Sequence, residues 1–399
     1  MSHAGELTAD GFGALRRLIA LALRHGGSVA LWRLPHAEAP VLLLSLQPLL
    51  LSGLPPALEP AAPAGFAFYP FQDGDTAEAM LLPADVVFDE ARQLTLSPAL
   101  PAEAAAAARR VLAEPDAPTE LSWHVSPQPL PPTADRAAYE ALVATGVAAI
   151  RAGQVQKVVS SRAARRPLPA GFDALGAFQA LCEQHPRAFV SLLSAPQAGT
   201  WLGATPEVLV EVDGTEFRTM ALAGTQPLTD DVTAHTAIWR QKDIEEQALV
   251  ARYIVGCFKH FRLRDYEETG PRTVAAGNLL HLRTDFRIDL RRVASPTFGT
   301  DMLRLLHPTS AVGGMPRQAA LDFLLRHEGY DRTYYSGFMG PVNLPAPGTS
   351  RLFVNLRCLQ LRPTEAILYA GTGLTADSDP AREWEETELK LRTVGSVLD

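Results

Sequence analysis

The chain has 399 residues, 47% of them apolar and 20% charged, with a formal net charge of −8. That is enough apolar sequence for the core of one large domain or two ordinary ones, and it excludes a disordered chain. The acidic balance argues against nucleic acid as the main partner, because a phosphate backbone demands a basic face; an anionic small molecule stays open, since local Lys and Arg can oppose the global charge.

The first expected element is an amphipathic helix from about Asp10 to His25. Its apolar stretch Leu18–Leu23 is short and flanked by Arg16, Arg17 and Arg24, so it reads as neither an export signal nor a membrane span. The run Leu42–Leu51 holds Gln47 and Pro48 and is also too short to span. Ala102–Ala113 reads as a surface helix. Glu114–Asp135 carries six prolines and reads as a connection. It separates residues 1–135, without obvious chemistry, from residues 136–399, which carry all of it. The short apolar runs of the first part suit strands and helices added to a shared core, so a single domain over residues 1–399 is expected. Cys182, Cys257 and Cys358 lack CxxC spacing, which points to reduced thiols in a cytoplasmic protein.

Two hairpins follow. Glu207–Val212 and Thr215–Leu222 flank Asp213-Gly214. Pairing Val212 with Thr215 sets Glu207 opposite about Met220 and Gly203 opposite about Gly224. Leu352–Leu361 and Ala366–Ala370 flank Pro363-Thr364, and pairing Arg362 with Glu365 sets Arg357 opposite about Ala370, beside a glycine loop at Gly371-Thr372-Gly373. Two helices matter. One has an apparent buried stripe of Ile244, Ala248, Ala251, Val255 and Phe258, with Glu246 off it. The last opens with Asp379 as N-cap and Pro380 at N1. Thr387, Leu391, Val394 and Leu398 mark its core face, while Glu383, Glu386 and Lys390 share another face.

Lys157 in a strand is unfavoured unless it faces water or is used. Desolvation beside other cations would make it a base. Glu207 follows Pro206 at a strand start. Arg357 interrupts an apolar strand, and such a charge calls for an anion. Taken singly, each has an ordinary reading: a solvated edge lysine, a turn carboxylate, helix charges in water, a structural histidine at His307, a plain turn at Gly371–Gly373. Their joint order is not ordinary.

The segments Lys-Val-Val-Ser-Ser-Arg (157–162), Leu-Gly-Ala-Thr-Pro-Glu (202–207), Ala-Leu-Ala-Gly-Thr (221–225), Lys-Asp-Ile-Glu-Glu-Gln (242–247), Leu-His-Pro-Thr (306–309), Val-Asn-Leu-Arg-Cys (354–358) and Ala-Gly-Thr-Gly…Glu-Trp-Glu-Glu-Thr-Glu-Leu-Lys (370–390) together resemble the chorismate-utilising enzyme family, from about Ala137 onward. The resemblance implies an α/β (α+β) fold, one large domain with two packed, mainly antiparallel sheets and helices outside. It also implies Mg²⁺ held by Glu246, Glu383 and Glu386 against the ring carboxylate of chorismate. Lys390 and the amides around Gly224 and Thr225 would help hold that carboxylate. Arg357, Tyr335 and the segment Gly371, Thr372, Gly373 would hold the enolpyruvyl carboxylate, with His307 contacting the substrate near the ring or ether oxygen. Lys157 would take a proton from water attacking C2, and Glu207 would protonate the hydroxyl leaving C4.

The amine-transferring branches carry Gln where Lys157 stands, and another branch places a nucleophilic Lys where Ala223 stands. The resemblance therefore implies isochorismate synthase, feeding menaquinone or siderophore biosynthesis. Salicylate synthase, which also eliminates pyruvate, is the alternative, and a silent ligand-binding relative is the third reading. A monomer is expected, without a glutamine amidotransferase partner. Gln247, Ser310 and Phe338-Met339 depart from the common pattern without removing a proposed catalytic group.

Overall fold

The structure is a computed structural model that describes residues 9–51, 55–72, 77–114, 120–276 and 279–399. In chain order the first part gives α1 (Ala9–Arg24), β1 (Ser28–Arg33), β2 (Val41–Ser45), β3 (Leu49–Leu51), β4 (Gly65–Tyr69), β5 (Ala79–Pro83), β6 (Val86–Phe88), β7 (Leu94–Leu96) and α2 (Ala102–Ala113). The middle gives α3 (Arg136–Arg151), β8 (Lys157–Pro167), α4 (Ala174–Gln184), β9 (Phe189–Ala195), β10 (Gly199–Thr205), β11 (Val208–Asp213), β12 (Glu216–Pro227), α5 (Gln241–His260), β13 (Glu267–Ala276) and β14 (Leu279–Asp289). The rest gives α6 (Phe298–Leu306), β15 (Gly314–Met315), α7 (Arg317–His327), β16 (Phe338–Val342), β17 (Thr349–Val354), β18 (Cys358–Leu361), β19 (Glu365–Leu374) and α8 (Pro380–Gly395).

Among the described residues the strands form two antiparallel sheets. One runs β15-β8-β19-β18-β10-β9-β1-β2-β6-β7 and the other β13-β14-β12-β11-β17-β16-β4-β5-β3. The first part of the chain thus supplies one end of each sheet. The mixed α/β architecture with two packed sheets is the one expected.

Strand alternation decides which core each side chain enters. On β1, Val29 and Leu31 face α1, α4 and α8, while Ala30 and Trp32 face the other sheet. Because both faces are covered, β1 is buried throughout. The inter-sheet core is aromatic: Phe189 of β9 stacks on Phe353 of β17 at 4.1 Å, and Trp32 meets Phe66 at 5.1 Å. On the outer face of the second sheet, α5, α6 and α7 bury Val250, Ile254, Met302 and Leu324.

Several local expectations shift. The Pro363-Thr364 hairpin has the expected register, with Leu361 opposite Ala366 and the Arg362 N–H bonded to the Glu365 carbonyl. The Asp213-Gly214 hairpin is displaced: Asp213 pairs with Glu216, so Gly214 and Thr215 form the loop and the glycine takes its positive-φ position (+59°). Gly203 does not face Gly224; it pairs with Cys358 in the first sheet, and the chain changes sheets between β10 and β11 at Pro206. The expected strand Leu352–Leu361 breaks the same way, at Asn355–Arg357.

The stripe expected on α5 has the wrong phase. Ile244 is 46% exposed, whereas Asp243, Glu246, Gln247, Val250, Ile254 and Cys257 are buried. The first turns of this helix bury polar groups, so apolar periodicity could not locate their inward face. On α8 the Asp379 cap, Pro380 and the buried Thr387, Leu391 and Val394 fall as expected.

Phe189→Ala removes the stacked ring that joins the sheets and is expected to cost about 3–5 kcal/mol, read from urea unfolding. A loss below about 1 kcal/mol would show that the two faces are not joined there.

Candidate active site

A cavity forms where β8 and β19 of the first sheet approach β12 of the second beneath α5 and α8. Among its lining residues are Glu207, Gly224, Thr225, Glu246, Tyr335, Arg357, Gly371, Gly373, Glu386 and Lys390, so residues 207 to 390 in the sequence share one wall. Glu207 stands at the sheet-changing turn, its carbonyl fixed by the Val354 N–H. Arg357 stands at the matching turn between β17 and β18, in the left-handed region (φ +47°) rather than within a strand. Both turns exist because the chain leaves one sheet for the other there, and each delivers a charged side chain between the layers.

Gly371-Thr372-Gly373 is not a loop. It lies in β19, paired to Ser161–Val159 of β8 on one edge and unpaired to β18 on the other, since that strand's ladder reaches only Leu368. Pleating splits the three. Gly371 and Gly373 reach the cavity, while the Thr372 hydroxyl turns away to the Tyr139 hydroxyl at 3.0 Å. A Cβ on Gly373 would stand 1.9 Å from Oε1 of Glu246, so only glycine admits that carboxylate.

Lys157 is fully buried at the start of β8, opposite Met315, rather than at a solvated edge. Its Nζ is 3.2 Å from Oε1 of Glu246, which places the amine behind that carboxylate and off the cavity wall. Glu383 is likewise buried off the wall, beside Lys242 at 2.7 Å. Lys390 bridges Oε1 of Glu386 at 2.7 Å and the Gly371 carbonyl at 2.8 Å.

His307 is elsewhere. It lines a separate cavity with Tyr69, Phe71 and Phe338, and its Nε2 meets the Pro70 carbonyl at 2.9 Å. A hydrogen-bonded structural histidine accounts for it, and the expected substrate contact does not fit that place. The histidine in the cavity is His281 of β14, which sequence reasoning missed. Its Nδ1 is 2.8 Å from the Gly224 carbonyl; a carbonyl only accepts, so Nδ1 carries the hydrogen and the Nε2 lone pair faces Arg357 at 3.5 Å. Burial, then Arg357, push His281 down to about 3, which keeps it neutral. Its signal was available: a titratable residue inside the apolar run Leu279-Leu280-His281-Leu282. Lys242 was missed too, although it opens a quoted motif.

The two groups flanking the cavity are tuned in opposite directions. Burial lowers the Lys157 amine, against the pull of Glu246. Burial raises the Glu207 carboxyl to about 7, against Lys157, Arg357 and Lys390. An amine eased toward neutrality and a carboxyl that keeps its proton near pH 7 can act as base and acid.

The acidic residues fit a hard cation by chemistry. Glu246, Glu383 and Glu386 offer only carboxylate oxygen, and Oε2 of Glu383 is buried without a hydrogen-bond partner. Burial would raise Glu386, yet Lys390 and Lys242 hold it down to about 2. Among the described residues no three such side chains converge as a finished metal cage. The Lys242 ammonium stands between them.

The model of the family described as "Chorismate binding enzyme" matches residues 56–399. The chain is 34% identical over 269 residues to the salicylate biosynthesis isochorismate synthase of Pseudomonas aeruginosa, covering 66% of this chain and 55% of that protein. It is 30% identical to the isochorismate synthase EntC of Escherichia coli, covering 66% and 68%. The match thus spans little more than half the length of the Pseudomonas relative. The structure of MenF, the menaquinone-specific isochorismate synthase of Escherichia coli, superposes with a TM-score of 0.74 at 21% identity, covering 96% of this chain and 91% of that one.

The Glu207 shift has a stability consequence with a fixed sign. Its carboxyl ionises near 4.5 when free and near 7 when folded, so its stabilising contribution is complete below pH 4.5 and is lost as pH rises through 7. Glutamine cannot ionise. Glu207→Gln should therefore gain stability over the wild type between about pH 5 and 8, by roughly 2–3 kcal/mol, measured by thermal unfolding without metal. A difference independent of pH would contradict the buried-carboxyl assignment.

Proposed function

This chain belongs to the chorismate binding enzyme family, and from that membership we propose that it is a Mg²⁺-dependent isochorismate synthase, converting chorismate reversibly to isochorismate. The observation that carries the reading is one cavity walled by a proton-holding carboxyl (Glu207), two cations suited to carboxylates (Arg357 and Lys390), and Glu246 with the desolvated Lys157 behind it. Chorismate is a dicarboxylate with an allylic hydroxyl, and that combination suits it. The names of its relatives point to the same reaction.

Arg357 grips one carboxylate with its planar donors, and the Tyr335 hydroxyl and the open edge of Gly371–Gly373 complete that end. Lys390 and the amides near Gly224 and Thr225 hold the other. Glu246, Glu383 and Glu386 would hold Mg²⁺, which would supply charge neutralisation and polarisation toward the substrate. Lys157 accepts a proton from water as the water oxygen bonds to C2. The ring double bonds shift, the C4–O bond breaks, and Glu207 gives its proton to the departing hydroxyl. One water enters and one leaves, so the reaction is an isomerisation. His281, neutral, sets the direction of Arg357. Ala223 on the wall offers no nucleophile in place of water.

The whole chain serves as one chorismate-binding domain, works as a monomer in the cytoplasm, and takes no amidotransferase subunit, because water rather than ammonia is the nucleophile. Among the described residues no helix is long and apolar enough to cross a membrane.

Purified protein with chorismate and Mg²⁺ should give isochorismate in equilibrium with chorismate and no pyruvate. Salicylate with stoichiometric pyruvate would move the assignment to salicylate synthase, and no product at all would overturn it. Lys157→Gln should lower kcat by a factor of about 10² or more while sparing substrate binding; retained turnover would remove Lys157 as the base. Gly373→Ala, whose Cβ would meet Glu246 at 1.9 Å, should lose activity at least as far, and near-normal kcat would show that Glu246 is not needed in its observed position.

A further inference from the structure

Lys242 is a buried cation beside the site that the proposed chemistry leaves without a task. It lies in the first turn of α5, with Nζ 2.7 Å from Oε1 of Glu383 and 4.0 Å from one oxygen each of Glu246 and Glu386. Among the described residues no other cation forms ion pairs with all three. We propose that the Lys242 ammonium is a built-in counter-cation, occupying the position of the divalent metal in the metal-free protein and yielding it when Glu246, Glu383 and Glu386 take the ion. The inference rests on the reading above that these carboxylates are the metal ligands.

The geometry makes lysine a partial substitute. A small divalent ion draws its carboxylate oxygens to about 2.0–2.1 Å in an octahedral shell. One ammonium with three donors cannot satisfy three carboxylates in that way. The shortfall is visible: Lys242 Nζ makes an ion pair yet lacks a well-directed hydrogen bond, and Oε2 of Glu383 has no partner. Lys157 and Lys390 have their own carboxylates, Glu246 at 3.2 Å and Glu386 at 2.7 Å. Among the described residues only Lys242 forms a recorded ion pair with Glu383.

Charge gives the same result. With Lys157 a neutral amine, as the proposed chemistry requires, the two ammonium groups of Lys242 and Lys390 already offset most of the charge of the three carboxylates. A divalent ion that joined them with Lys242 in place would add uncompensated positive charge to a buried site and share its volume with an ammonium. Metal loading is therefore an exchange, and the apparent metal affinity of the protein alone is reduced by the cost of moving Lys242.

The test uses Mn²⁺ as probe, with free ion counted by electron paramagnetic resonance and no substrate present. Lys242→Met and Lys242→Gln should bind Mn²⁺ at least tenfold more tightly than the wild type, and Lys242→Arg, which keeps the charge, should stay near the wild-type value. Equal or weaker binding by both neutral variants overturns the proposal, because it would make Lys242 a support for the ligands rather than their competitor. A neutral variant that unfolds without metal should regain its fold as Mn²⁺ is added, with a far larger rise in thermal midpoint than the wild type shows. Failure to regain it at millimolar Mn²⁺ also counts against. The ligand reading fails separately: if Glu386→Gln binds Mn²⁺ as the wild type does, or no variant binds it, the carboxylates are not the site and the exchange falls with them.

Discussion

Three lysine–carboxylate pairs packed between α5, α8 and the start of β8, two of them buried and one on the cavity wall, are the constraint on which the rest of this molecule depends. They are Lys157 with Glu246, Lys242 with Glu383, and Lys390 with Glu386. A buried charge left alone costs several kcal/mol, so the carboxylates are tolerable there only with the lysines that face them. Two helices and a strand far apart in sequence must therefore meet at one point. Gly373 makes the meeting possible, because any side chain there would displace Glu246. The large apolar cores on either side of the sheets hold the frame in which such a costly cluster can persist.

Much of this was legible in the chain. The α8 cap and its two faces were readable because Asp379, Pro380 and the apolar spacing all act locally. The register of the Pro363-Thr364 hairpin was readable for the same reason. What escaped reading was set by tertiary structure. The chain changes sheets at Pro206 and again near Arg357, and no local signal separates a bend within a strand from a transfer between layers. The inward face of α5 escaped because its first turns bury Lys242, Asp243, Glu246 and Gln247, residues that a hydrophobic pattern assigns to water. His307 and His281 show the same limit from the other side. Each sits in an apolar context, and only the three-dimensional arrangement tells that one is held by the Pro70 carbonyl and the other faces Arg357.

The cavity also explains how one frame can separate water chemistry from amine chemistry. In the proposed reaction the outcome is set by a few positions on the cavity wall and just behind it rather than by the fold. In the proposed reaction Lys157, desolvated behind Glu246, would activate water, and Ala223 brings no amine to the cavity wall. Burial outweighs the three cations near Glu207 and raises its carboxyl, which suits it to the complementary acid role proposed for it. Neither assignment needs a residue outside the cavity and its immediate backing.

The central claim is that solvent water, activated beside Lys157, becomes the new hydroxyl while Glu207 releases the old one. It is tested most directly by running the reaction in ¹⁸O-labelled water and locating the label by mass spectrometry. The account predicts one ¹⁸O in isochorismate, at C2, and label appearing at C4 of the recovered chorismate as the reaction reverses. Isochorismate formed without ¹⁸O would mean that the hydroxyl migrates within the substrate, and would contradict the acid–base assignment.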